Sequence, residues 1–193
     1  MPGPWQESEV PRGAAYDQRF DELASAGVDV HGEAALVDSF GPGSVLDAGC
    51  GTGRVAIELD RRGHAVVGVD VDPAMLHAAR SKAPDLSWVE GDVTDPDLEL
   101  GRTFDVVVMA GNVLIFVPPG TEGRVIANAA RWLKPGGRVV TGYSIRQGGF
   151  APPAHDALAA RAGLTLEDRW STWDRRPFEP PGRYAVAVHR RDA

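Results

Sequence analysis

The stretch LDAGCGTGR, Leu46 to Arg54, sets three glycines into five positions directly after a short apolar run. Glycine lets a ligand approach the backbone with no Cβ in the way. The start of a helix after such a turn offers amides and the positive end of a dipole, which suit an anionic group. Asp70 follows Gly49 by 21 residues, the distance at which an acid ending the next strand accepts hydrogen bonds from ribose hydroxyls. The spacing discriminates further. A dinucleotide fold wants Gly-x-Gly-x-x-Gly, but the third glycine here is Gly53 and Arg54 stands in its expected place. No Gly-Lys-Ser/Thr follows, so the turn is not a Walker loop either.

Outward from this turn the chain alternates between strand and helix. SVLDA reads as a buried strand, and the helix after the glycines turns Val55, Ala56 and Leu59 inward. HAVVGVD is a second strand. DPAMLHAARSK is a helix capped by Asp72, with Pro73 at the first position, where a missing amide hydrogen costs nothing. LSWVEGD and FDVVVMAG give a third and a more apolar fourth strand. A helix from about Thr121 to Leu133 is turned by KPGG into a fifth strand, RVVTGYS. Near-continuous apolar strands separated by helices predict a parallel sheet covered on both faces. After the short helix APPAHDALAARAG, the runs LTLEDRWSTWD and GRYAVAVHRR have only the proline-rich RRPFEPPG between them. Two strands with no helix between them form a hairpin, so at least one is antiparallel to the rest. Upstream, Tyr16, Phe20 and Leu23 mark an amphipathic helix that ends near Gly27, and GEAALVDSF marks a second.

The chain has 193 residues and a net charge of −7, which suits one domain and would be repelled by a phosphate backbone. Nucleic acid is therefore not expected as a partner. The N-terminal MPGPWQESEVPRG has no apolar stretch of the kind a signal peptide needs. The longest nearly apolar run, Val106 to Val117, is about half the roughly 20 residues of a membrane span. The lone cysteine, Cys50, excludes an internal disulfide. A cytoplasmic protein, monomer or homodimer, with no membrane association is the expectation.

In this order the motifs resemble those of the class I S-adenosylmethionine-dependent methyltransferases. VLDAGCGTG matches the first motif, GVDVDPAML with Asp70 the second, and VEGDVTD with Asp92 the stretch after the third strand. FDVVVMAGNVLIF and LKPGGRVV complete the likeness, which covers roughly Gly43 to Ser144. The resemblance implies a Rossmann-like α/β sandwich with a seven-stranded, mostly parallel sheet and an antiparallel C-terminal hairpin strand. It implies S-adenosyl-L-methionine as cofactor and a methyl acceptor as partner. By the same resemblance Asp47, Gly49, Cys50 and Gly51 surround the methionine part, and Asp70 holds the ribose. Val71 and Met75 line the adenine, with Gly91, Asp92 and Val93 beside it, and Ala110, Gly111 and Asn112 close the far side near the sulfonium. A lid helix would place Tyr16 above that group. The segment DVHGEA, Asp29 to Ala34, also looks like a motif of some small bacterial members.

One domain is expected over 14–193: lid helices at 14–40, a cofactor-binding core at 44–144, and a C-terminal helix and hairpin at 152–193. Residues 1–13 read as a flexible arm. His31, Tyr143 and His155 sit near predicted element ends on the cofactor side and are weak candidates for a general base. Trp170 and Trp173 in the hairpin read as core, or as a wall for an apolar substrate. No His/Cys/Asp grouping has metal-ligand spacing along the chain, so no metal is expected. The acidic charge, the short chain, and AGNVLIF in place of an Asn-Pro-Pro-Tyr loop point to methylation of a small molecule. The alternatives are a non-catalytic domain binding S-adenosylmethionine or its demethylated product, and an NAD(P)-dependent reductase. The reductase is disfavoured because YSIRQ has no lysine four residues after Tyr143. Segments 5–31, 112–120 and 142–153 are expected to shape the acceptor pocket.

Overall fold

A computed structural model describes residues 4–145 and 150–192. Seven strands form one sheet: β1 (Ser44–Ala48), β2 (Ala65–Asp70), β3 (Ser87–Glu90), β4 (Phe104–Met109), β5 (Leu133–Ser144), β6 (Leu164–Trp170) and β7 (Tyr184–Arg191). Their spatial order is β3-β2-β1-β4-β5-β7-β6. β1 to β5 pair in parallel, and β7 runs antiparallel to both β5 and β6. The expected α/β sandwich with a reversed C-terminal strand is therefore present. β5 begins earlier than the sequence suggests. KPGG lies inside it, and the register against β4 shifts between Phe104 and Val106.

The buried residues of the strands divide by parity between two cores. Leu46, Ala48, Val67, Val69, Val107, Met109 and Tyr143 face one side. That side is covered by α6 (Val113–Phe116), α7 (Glu122–Trp132) and α8 (Pro152–Arg161). Val45, Val66, Val106, Val108, Val140, Val186 and Val188 face the other, covered by α3 (Gly32–Asp38) and α4 (Arg54–Arg61). α5 (Pro73–Lys82) packs beside β2 and β3, and its cap is the expected one, with Asp72 accepting from the amides of Ala74 and Met75. Central strands buried on both faces explain why their sequence reads as continuous Val and Leu instead of alternating.

Two further helices precede this layer system, α1 (Pro4–Glu7) and α2 (Ala14–Ser25). Residues 4–13, read from the sequence as a flexible arm, are tied to the body. Trp5 donates its indole N–H to Asp72 Oδ2 at 3.0 Å and meets the Phe116 ring edge-on, with centroids 5.3 Å apart. Arg12 stacks its guanidinium 3.8 Å above the Trp5 ring and donates to the same Asp72 oxygen at 2.8 Å. One carboxylate thus caps α5 with one oxygen and holds the arm with the other. No helix among the described residues is long and apolar enough to cross a membrane.

Candidate functional site

The order of strands reverses at β1, whose neighbours β2 and β4 lead away in opposite directions, and in such sheets ligands bind at the carboxyl ends of the strands beside that point. A cavity of about 280 Å³ opens there, lined by the residues that leave β1, β2, β3 and β4. Of the residues expected from the sequence, Tyr16, Asp47, Gly49, Cys50, Gly51, Asp70, Val71, Met75, Gly91, Asp92, Val93, Ala110 and Gly111 all line it.

Asn112 is the exception. Its backbone sits in the left-handed region at φ 64, and its side-chain oxygen accepts from the Ser144 amide at 2.7 Å. The side chain thereby splints the end of β5 and does not face the cavity. The three candidate bases are likewise elsewhere. Tyr143 on β5 and His155 on α8 are buried in the core between sheet and helix, and His31 stands at the N-cap position of α3, none of them lining the cavity. Tyr143 follows the period of β5 onto the face opposite α3, so its place near a strand end does not bring it to the ligand. Trp170 and Trp173 pack on the α3 face, with Trp173 donating to the Tyr184 hydroxyl at 3.2 Å. In the segment expected to shape the acceptor pocket, residues 146–149 lie outside those described.

Four amides of the turn after β1 are held within the protein. Gly49 and Cys50 donate to the Val69 carbonyl at 2.8 and 2.9 Å, Gly51 to Asp70 Oδ2 at 2.7 Å, and Gly53 to the Cys50 carbonyl at 2.9 Å. The glycines serve shape instead of charge. Gly49 has φ +78, and a Cβ there would lie 2.5 Å from Val113 Cγ2. Gly49→Ala is expected to destabilise the fold by about 1–3 kcal/mol in denaturant unfolding through backbone strain and overpacking. Adding Val113→Ala should recover only the packing part, because the positive φ remains.

Two buried carboxylates give the cavity its polar character. Asp70 holds the Gly51 amide with one oxygen and the Asp72 amide with the other, at 2.7 and 2.9 Å. Each oxygen keeps a further lone pair for a ligand hydroxyl. Asp47 is more isolated. It accepts from the Ala56 amide at 3.1 Å, and burial pushes its carboxyl up to about 7, with the Arg54 charge acting in the opposite direction. A carboxylate so placed favours a cationic ligand group. Asp92 accepts from the Thr94 amide at 2.8 Å, fixing the loop after β3, and the buried Asn128 locks that loop by donating to the carbonyls of Val93 and Asp95 at 2.9 Å.

The cavity also has lining residues that sequence reading did not select, Thr52, Arg54 and Val55, while Trp5, Val113, Phe116, Val117 and Pro118 belong to segments 5–31 and 112–120 expected to shape the acceptor pocket. Arg54 grips Glu33 through both guanidinium nitrogens at 2.6 and 2.9 Å and also donates to the Val30 carbonyl. Its guanidinium lies 4.3 Å over the Phe20 ring. This one side chain ties the glycine turn to α2 and α3, and gives the DVHGEA segment a structural role. Thr52 reinforces the tie by donating to Asp17, which also pairs with Lys82. Burial raises the Tyr16 hydroxyl, which keeps it protonated as a donor. These contacts are long-range in sequence. Arg54 in the third-glycine place and the DVHGEA likeness are the sequence signals that bear on them.

The chain matches the family described as a methyltransferase domain over residues 45–137. A TehB-like SAM-dependent methyltransferase of known structure from Corynebacterium glutamicum is 37% identical, with a TM-score of 0.84 over 92% of this chain and 97% of that one. The magnesium-protoporphyrin O-methyltransferase of Rhodobacter capsulatus is 38% identical over 45% of this chain and 39% of its own length. A dTDP-3-amino-3,4,6-trideoxy-alpha-D-glucopyranose N,N-dimethyltransferase of Streptomyces venezuelae is 32% identical over 68% of this chain and 56% of its own. The chain spans about two fifths of the length of the first curated relatives it matches.

Proposed function

Because the chain belongs to the class I S-adenosylmethionine-dependent methyltransferases, we propose that its cavity binds S-adenosylmethionine and transfers the methyl group to a small-molecule nucleophile. The observation that carries this reading is the pairing of Asp70 and Asp47 at the carboxyl ends of β2 and β1. Asp70 presents two oxygens already oriented by backbone amides, as two vicinal hydroxyls require. Asp47 sits where the methionine part of the cofactor would bring its ammonium, a cation that offsets the cost of the buried carboxylate. Val71, Met75 and Val93 supply apolar surface for the adenine, with Asp92 beside it. The residues present fit the cofactor.

When bound, S-adenosylmethionine supplies a methyl group on a sulfonium, already activated for in-line displacement. The work left to the chain is alignment and the exclusion of water. Trp5, Phe116, Val117 and Pro118 wall the cavity with apolar surface, and Trp5 packs edge-on against Phe116 at its rim. Arg54 fixes the lid helices relative to the glycine turn and is itself neutralised by Glu33, so it brings no net charge to the acceptor. The acidic surface, together with relatives whose names are those of small-molecule methyltransferases, supports a small acceptor.

Isothermal titration of the whole chain with S-adenosylmethionine tests the cofactor assignment, and saturable binding with one site per chain is expected. No heat at millimolar cofactor, with NAD binding instead, would overturn it. A coupled assay for the demethylated product across O, N, S and C acceptors then tests the transfer. Turnover with none of them, despite tight binding, would favour a non-catalytic binding domain.

A further inference from the structure

On the face of the sheet opposite α3, a second polar cluster lies under α8, away from the cavity. His155 is fully buried, and neither ring nitrogen has a hydrogen-bond partner. His189 on β7 is 1% exposed; its Nε2 lies 3.1 Å from Asp156 Oδ1, while its Nδ1 has no partner. The two imidazoles meet edge to face with centroids 4.6 Å apart. The Tyr143 ring lies 5.1 Å from that of His155, and its buried hydroxyl is also unpartnered. Buried polar side chains are nearly always hydrogen-bonded. Several orphans in one place, two of them imidazoles, call for a shared ligand.

One donor atom each from His155, Asp156 and His189 lie within 4.8 Å of one another. Two imidazoles and a carboxylate suit Zn²⁺ and its first-row neighbours better than Mg²⁺ or Ca²⁺, which want an all-oxygen shell. We propose that His155, Asp156 and His189 bind a divalent transition-metal ion of the zinc class, which ties α8 to β7.

Tetrahedral zinc with arms of about 2.0–2.2 Å places ligand atoms about 3.3–3.5 Å apart, so the three side chains draw together on binding. Arg169 donates to Asp156 Oδ1, the oxygen that His189 Nε2 also meets, which leaves the second oxygen for the ion. The guanidinium is a like charge beside the site and lowers its affinity. The Asp156 side chain is 35% exposed, which gives the ion a way in and leaves a fourth position for water or the Tyr143 hydroxyl. His155 and His189 are 34 positions apart in the chain. That separation hides the grouping from a search for ligand spacing; α8 and the reversed β7 bring it together.

The test uses the whole chain without an affinity tag, stripped with chelator and titrated with Zn²⁺, then with Co²⁺ as a spectroscopic probe. One equivalent should bind, Co²⁺ should show visible ligand-field absorption, and the unfolding midpoint should rise by about 5 °C or more at a hundredfold excess over Kd. Asp156→Asn should weaken binding at least tenfold, and Arg169→Gln should tighten it severalfold. Changes at buried His155 or His189 risk the fold, so these two more exposed positions decide. Failure of the wild-type chain to bind near one equivalent, or affinity unmoved by both substitutions, overturns the proposal.

Discussion

Asp70→Asn is expected to weaken S-adenosylmethionine binding by about a hundredfold, measured by titration calorimetry. The carboxylate presents each ligand hydroxyl with a charge-assisted acceptor, a bond worth about 1.5–3 kcal/mol. Losing the charge and one acceptor together forfeits about 3 kcal/mol, or two decades of affinity. The amide also sets an N–H group against the amide of Gly51 or of Asp72, both of which now donate to the carboxylate. Rotating the side chain moves the conflict from one to the other without removing it. Affinity within threefold of wild type would show that Asp70 orders the turn and does not touch the ribose.

Asp47→Asn is expected to trade binding for stability. Burial raises the folded carboxyl to about 7 from an ordinary value of 3.8. The folded state therefore holds this proton more tightly than the unfolded chain does. Its contribution to stability is fully present below about pH 4 and is lost as pH rises through about 7. A shift of about three units corresponds to about 4 kcal/mol at most. Asparagine recovers part of this at pH 8, about 2 kcal/mol after the cost of burying an unpaired amide N–H. Urea unfolding of the ligand-free protein should thus show the variant gaining stability relative to wild type as pH rises from 5 to 8, a difference in which groups titrating in both proteins cancel. A cationic ligand group needs the ionised carboxylate, so wild-type affinity should rise up to tenfold per unit as pH climbs toward 7. A variant no more stable than wild type at pH 8 would mean that Asp47 is already solvated or paired.

Much of this site was legible because its parts are local. Asp47, Gly49, Gly51 and Asp70 sit at the ends of two adjacent strands, and their spacing follows from the strand–turn–helix unit itself. What the spacing does not encode is where a free side chain turns. Asn112 has the composition of a ligand contact, yet its left-handed backbone aims it at the Ser144 amide. The glycine turn suggests an anion site, but β2 lies close enough for its Val69 carbonyl to take the amides of Gly49 and Cys50. Tyr143 and His155 depended on which face of the sheet each would occupy, and that is fixed only when α8 is laid down. Pro and Gly content alone predicts a flexible arm. Its anchors, Asp72 and Phe116, are 67 and 111 positions away from Trp5, and no local pattern announces them.

The division of labour at Asp72 has a kinetic consequence. Its Oδ1 caps α5 while its Oδ2 alone receives Trp5 and Arg12. Releasing the arm costs two hydrogen bonds to one carboxylate oxygen and an aromatic edge contact, a few kcal/mol in all, and leaves the helix cap untouched. On the proposed function, exchange of spent for fresh methyl donor is expected to need only local release of this arm and not opening of the whole domain. Because an ion pair holds the latch, added salt should quicken the departure of product while leaving the rim of the pocket intact.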